Sequence, residues 1–326
     1  MKLQNFQMGN KEVVEKFIAA RKQSGAADMN KLNFSWSNWG FGREDFVECA
    51  KRLAKHNISY IELHGKVYSK DIGYDVKETK MILDDYGIKV SGLCGMVDID
   101  CEFSNRSAFV RQNCLDYVRL QVDFCAEVGG KYILMHPCAC GRNKRYDDYE
   151  LLRGAEMFKI AAEDFSRSNV RCAIEPIRKD EVPFIHTFEQ ALEFINNINA
   201  EGVSHIYGDL YHMLLEETHI GKTLLSYGDK LTGLHMADTS RRALGSAMLD
   251  LDMVIMALYA AGKNNDSNFF CTAEPLGGGS SPYDQMYGIN DPEVLDNLVK
   301  STVTYFRERE NVLLNASDEE LLKGYE

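Results

Sequence analysis

Proline is scarce, with six in 326 residues, and no Pro/Ser-rich linker divides the chain. This excludes an obvious seam, and an α/β barrel of this length commonly folds as one domain. The nine cysteines form no CxxC pair, and the nearest two, Cys138 and Cys140, have a poor spacing for zinc. Cys94, Cys125, Cys172 and Cys271 lie in apolar runs, where a free thiol behaves as a small hydrophobe. That usage points to a reducing, cytoplasmic compartment. No run approaches the length of a membrane span, and the opening "MKLQNFQMGNKEVVEKF" has no apolar core of a secretory signal, so neither is expected. Basic runs are also missing. Net charge is −12 and the densest cationic stretch, "RNKRY" at 142–146, reads as a solvated loop. Phosphate-backbone binding draws its affinity from a concentrated basic surface, so nucleic acid is not an expected partner.

What the chain does have is alternation. Eight short apolar or β-branched runs occur at 31–36, 58–64, 88–94, 131–136, 170–175, 204–209, 231–236 and 268–274. Helical patterns separate them. One spans "REDFVECAKRLAKHN" and places Phe46, Val47, Ala50, Leu53 and Ala54 on one face; another stops at Gly129 and Gly130. Eight strand–helix units predict parallel strands closed into a (β/α)8 TIM barrel over residues 31–326. Residues 1–30 form a short N-terminal extension, with a helix over Lys11–Arg21. Val13, Val14, Phe17 and Ile18 share one face of it, a stripe that must be covered either by the barrel itself or by another subunit.

Chemistry in such a barrel sits at the C-terminal strand ends. The runs end on Glu62 and His64, His136, Glu175, Asp209, His235 and Glu274. Glu175, Asp209, His235 and Glu274 are three carboxylates and an imidazole on four consecutive strands. Clustered carboxylates repel and are costly to desolvate unless a cation offsets them. The hard donor set suits Mn²⁺, with Mg²⁺ or Co²⁺ as alternatives. Around it stand Glu181, His212, Asp238 and Arg241; His212 and Arg241 can donate to sugar hydroxyls or an enolate oxygen. Trp36 can stack on a sugar or aromatic ring, with Trp39 close by, and His64 and His136 are acid–base candidates. The stretch "GGGSSPY" at 277–283 lacks the P-loop Lys-Ser/Thr and reads as a turn or lid.

These residues resemble the xylose-isomerase-like sugar isomerase and epimerase superfamily over roughly 31–310. Glu175, Asp209, His235 and Glu274 match its metal tetrad. Glu175 with Glu181, Asp209 with His212, and His235 with Arg241 match the spacing of ketose 3-epimerases. The stretches "NFSWSNWGFG", "LHMADTSRRALGSAMLDLD", "AEPLGGGSSPY" and "TVTYFRERE" resemble the α subunit of bacterial C-glycoside deglycosidases. The resemblance implies a metal-dependent lyase that works with a small β subunit in a hetero-oligomer and cleaves the C–C bond of 3-oxo-glucosides by β-elimination, with Tyr283 joining Trp36 and Trp39 around the aglycone.

A ketose 3-epimerase is the alternative, with Glu175 and Glu274 on opposite faces of the sugar, and a non-catalytic sugar-binding barrel is the third. Both enzyme readings begin by removing a proton beside a metal-polarised ketone. His136 is the lyase-base candidate, from position alone.

Overall fold

The eight expected strands pair in parallel with their neighbours in chain order. They are β1 Phe34–Ser37, β2 Tyr60–His64, β3 Lys89–Cys94, β4 Tyr132–Met135, β5 Arg171–Ile174, β6 Val203–Asp209, β7 Leu231–Met236 and β8 Phe270–Ala273. β8 pairs back onto β1, with Trp36 opposite Ala273, and closes a TIM barrel. The structure, a computed structural model, describes residues 4–25, 29–65, 71–95, 97–276, 288 and 290–325. The helices are α1 Asn5–Ser24, α2 Phe46–Lys55, α3 Val76–Asp85, α4 Ala108–Glu127, α5 Glu150–Ser168, α6 Phe188–Ile198, α7 Leu210–Glu216, α8 Ile220–Ser226, α9 Leu251–Ala260, α10 Pro292–Asn315 and α11 Asp318–Lys323. The segment 277–283, with Tyr283, lies outside the described residues.

Strand alternation sorts side chains into two packing layers. Tyr60, Cys94, Tyr132, Leu134, Ala173, Tyr207 and Phe270 pack together inside the barrel. Their neighbours, such as Ile61, Leu63, Ile133, Ile174 and Leu234, point outward into the apolar layer under the helices. Register shifts fall at Ile61/Glu62, Cys172/Ala173 and Ile206/Tyr207, on the strands that lead to Glu62, Glu175 and Asp209. Such irregularities re-aim side chains and are common beside active sites.

Three expectations differ in detail. The first strand starts at Phe34 rather than Lys31, because Leu32 turns to α10: its N–H donates to Glu310 Oε1 at 2.9 Å and its C=O accepts from Arg307 at 3.0 Å. On α2 the buried face is Cys49, Ala50, Arg52 and Leu53, while Val47 is exposed. Arg52 is buried because Glu44 and Asp296 take its guanidinium, a pairing that apolar spacing does not register. The terminal helix is longer than expected, and its stripe is covered by its own chain. Val13, Val14, Phe17 and Ile18 are buried, with α1 packed against α8, α9 and α11.

Candidate metal centre

Each tetrad residue is the last residue of its strand, or within one of it, so the sheet fixes its backbone. Glu175 N donates to Met135 O at 3.0 Å and Glu274 N to Met236 O at 2.9 Å, each one residue beyond its strand. Asp209 ends β6 and caps α7, its Oδ1 accepting from Tyr211 N at 2.8 Å. His235 stands on β7 opposite Asp209. All four are buried.

Their side chains converge. His235 Nδ1 lies 3.3 Å from Glu274 Oε2, 3.8 Å from Glu175 Oε1 and 4.0 Å from Asp209 Oδ2. Ligand atoms of Glu175, Asp209 and His235 all fall within 4.8 Å of one another. The other ring nitrogen, Nε2, is 2.7 Å from Glu62 Oε1. An ionised carboxylate only accepts, so Nε2 carries a proton, and in a neutral imidazole the lone pair is then on Nδ1. That buried Nδ1 has no hydrogen-bond partner although it faces three carboxylates. A lone pair turned on three carboxylates is repulsive unless a cation lies between them, and a divalent ion fits this donor set.

Without such an ion the charges compensate otherwise. Burial opposes charge on His235, but the carboxylates of Glu274 and Glu62 outweigh it and hold its pKa well above the usual value. Burial pushes Glu274 up to about 8 against the pull of His235 and Arg241, and it raises Glu175 too. Burial also pushes Glu62 upward, but His235 and the Tyr132 and Tyr207 hydroxyls bring its pKa below the ordinary range.

Arg241 lies against this cluster, its guanidinium 2.8 Å from Asp209 Oδ2 and 2.6 Å from Glu274 Oε2. It has no lone pair to give a metal, so its part is charge compensation and hydrogen-bond donation. Ser240 and Arg241 hold φ of +61° and +57°, a left-handed conformation that costs most residues of order 1 kcal/mol or more. The buried Asp238 offsets this by accepting from four backbone amides, those of Thr239, Gly245, Ala247 and Leu249, at 2.8–3.0 Å. Tyr211 flanks the guanidinium, its ring centre 4.3 Å away.

The other expected residues divide. His212 Nε2 is 3.4 Å from Asp209, and burial lowers its pKa to about 3, so its imidazole is neutral. Glu181 is ion-paired with Arg178 at 3.0 Å, and Arg178 in turn lies over Tyr211. His64 stacks on Trp39 with ring centres 5.4 Å apart, and Arg241 lies 5.7 Å from the Trp39 ring.

Trp36 does not join them. Between inward-facing Ser35 and Ser37 it points outward, fully buried and stacked on Phe41, so it is a packing residue and Trp39 is the aromatic beside Arg241. His136 also stands apart: Nε2–H donates to Phe184 O at 3.0 Å and Nδ1 accepts from Cys138 N at 3.3 Å. Both its nitrogens are engaged by backbone, and burial lowers its pKa to about 4. Glu62 was visible as a strand-end carboxylate but not as a site residue. Its tyrosine partners Tyr132 and Tyr207 read as ordinary strand residues; the available signal is a carboxylate inside "YIELH", on the same strand face as His64.

Comparison with known proteins bears on what such a centre does. A family model described as xylose isomerase-like TIM barrel matches residues 50–285. The chain is similar to 3-dehydro-D-guloside 4-epimerase of Escherichia coli, 26% identical over 240 residues, covering 70% of this chain and 88% of that enzyme. It is similar also to ketose 3-epimerase of Arthrobacter globiformis, 25% identical over 197 residues, covering 58% of this chain and 65% of that enzyme. Among solved structures, 3-keto-D-glucoside 4-epimerase from E. coli superposes with a TM-score of 0.69 at 22% identity, covering 85% of this chain and all of that one, 100%. An L-ribulose 3-epimerase does so with a TM-score of 0.74 at 15% identity, covering 87% and 96%. At these identities the two structures establish the fold.

Proposed function

The chain belongs to the xylose isomerase-like TIM barrel family, and from that premise we propose that it is a divalent-metal-dependent sugar epimerase acting on a carbon beside a ketone. The observation that carries this is the buried His235 Nδ1, facing Glu175, Asp209 and Glu274 with no hydrogen-bond partner. Mn²⁺ is the proposed ion, and these four residues its ligands. When bound, it supplies the Lewis acidity that makes a C–H next to a ketone removable.

The chain's own residues do the rest. Glu175 removes the proton from one face of the sugar and Glu274 returns one to the other. Arg241 and neutral His212 donate to substrate oxygens, and Trp39 with His64 forms an aromatic wall beside them. A keto-glycoside is the proposed substrate class. The support is a relative named 3-dehydro-D-guloside 4-epimerase, matched over 88% of its length. C–C cleavage of a 3-oxo-C-glucoside, the first reading of the sequence, would begin with the same proton abstraction, but the relatives' names favour the epimerase.

The test is to incubate the protein and Mn²⁺ with a 3-oxo-glucoside, a 3-oxo-C-glucoside and a free ketohexose, following each by NMR. The proposal expects inversion beside the ketone of the 3-oxo-glucoside with the aglycone retained. Release of the aglycone would establish the lyase instead, and inertness toward all three would overturn both.

A further inference from the structure

Below the tetrad the barrel interior carries a polar layer where small barrels usually place branched apolar side chains. Glu62 from β2, Tyr132 from β4, Tyr207 from β6 and Thr272 from β8 meet at the barrel axis. Tyr132 OH donates to Glu62 Oε2 at 2.7 Å and Tyr207 OH lies 3.0 Å from the same oxygen. The two hydroxyls are 3.1 Å apart, and Thr272 Oγ1 is 3.0 Å from that of Tyr207. The other carboxylate oxygen, Oε1, takes the N–H of His235 Nε2 across the barrel. Every member of the layer is buried.

The backbone makes room for this arrangement. A Cβ on Gly92 would lie 2.5 Å from the Tyr132 ring, and one on Gly233 would lie 2.2 Å from the Tyr207 ring. Two strand positions are thus given up to seat two phenols whose hydroxyls meet on one carboxylate. A buried charge of this kind is seldom the stable way to fill a core, since well-packed apolar groups do as well or better. Its use must lie in what it holds.

We propose that Glu62 is a positioning residue: clamped by Tyr132 and Tyr207, it keeps the His235 proton on Nε2 and so leaves Nδ1 free to bind a divalent cation. The inference rests on the metal reading of the site. To bind a metal the ring must be neutral, and it then has one proton to place. Without an acceptor at Nε2, that proton can move to Nδ1, where Glu274 Oε2 waits 3.3 Å away, and the metal-binding lone pair is lost. Among the described residues Glu62 is the one carboxylate at Nε2, whereas Nδ1 faces three. Carboxylates behind ligating histidines characteristically fix the tautomer in this way and raise ligand basicity.

Two variants separate positioning from packing. Glu62→Gln keeps the shape and removes the charge. The quadruple variant Glu62→Leu with Tyr132→Phe, Tyr207→Phe and Thr272→Val makes the layer apolar without leaving hydroxyls unpaired. Metal-free full-length proteins are titrated with Mn²⁺ by calorimetry, and their thermal midpoints are measured alongside. The expected result is Mn²⁺ binding weakened by about 10–100-fold in the quadruple variant, which removes the acceptor, and by less in Glu62→Gln, whose amide oxygen can still accept the Nε2 proton, with the quadruple variant melting no lower than wild type. Unchanged affinity in the variants, with wild type binding Mn²⁺, would overturn the positioning role alone. Loss of fold and metal together in both variants would overturn it in favour of a structural role. Failure of wild type itself to bind Mn²⁺ would remove the metal reading and this inference with it.

Discussion

A proposed ligand and the arginine beside it do not carry equal consequences when altered. Removing a carboxylate that faces His235 Nδ1 leaves an incomplete site, so Glu274→Gln is expected to lower kcat/KM by more than the ~100-fold typical of changes behind the ligands. Elemental analysis of the same sample should show depleted metal. Arg241 predicts the opposite split. Arg241→Ala removes a donor to the substrate and should cost roughly 100-fold in turnover, while Mn²⁺ stays near stoichiometric. Because its guanidinium also bridges Asp209 and Glu274, the metal-free variant should melt lower than wild type and recover when Mn²⁺ is added. Loss of metal from the folded variant would place Arg241 in a structural role instead.

At the scale of elements, the strands are legible as short apolar or β-branched runs, six of the eight joined to a polar end. The strand face is not. Trp36 and Trp39 are equally plausible ring-stacking residues in a linear sequence, and only the barrel's closure turns Ser35 and Ser37 inward and Trp36 outward. The role of Glu62 is hidden in the sequence for a related reason. Its partners come from β4, β6 and β7, and nothing local in "YIELH" reports on strands across the barrel. The helices add a prediction about the N-terminal segment. Most of α9 is buried, so it needs cover on its outer side, and α1 provides it with Val13, Val14 and Phe17. Phe17 meets Tyr259 edge-on at 6.0 Å. Phe17→Ala should therefore cost about 3–5 kcal/mol in urea unfolding, and deleting residues 1–25 should yield aggregating protein rather than a free-standing barrel. A soluble, cooperatively folding truncation would show that α1 is dispensable.

For the whole molecule, the centre couples metal, protons and stability. In the metal-free protein Glu274 titrates near 8 instead of in the ordinary carboxylate range, and the His235 pKa is also raised. At these two groups the folded state holds protons that the unfolded chain has released, so their share of the stability is lost as pH rises from about 5 towards and past 8, whereas His64, His136, His205 and His212, buried as neutral rings, contribute a share that grows as pH rises through the ordinary histidine range. Bound metal displaces those protons, so Mn²⁺ affinity should rise over the same interval and flatten the loss. Thermal midpoints with and without Mn²⁺ across that range check both slopes. The barrel, and the strand-end carboxylates and histidine that cluster at its mouth, could be read from the chain because they follow from local runs and their ends. Substrate and reaction class could not, since both candidate reactions share their first step and one scaffold serves many sugars.

That shared step is the core of the account and can be observed alone. Protein loaded with Mn²⁺ in D₂O is mixed with a 3-oxo-glucoside, and NMR follows deuterium at the carbons beside the ketone. The account predicts exchange that requires the metal and disappears in Glu175→Gln. Epimer formed with no solvent deuterium incorporated, or exchange that persists in metal-depleted protein, would contradict it.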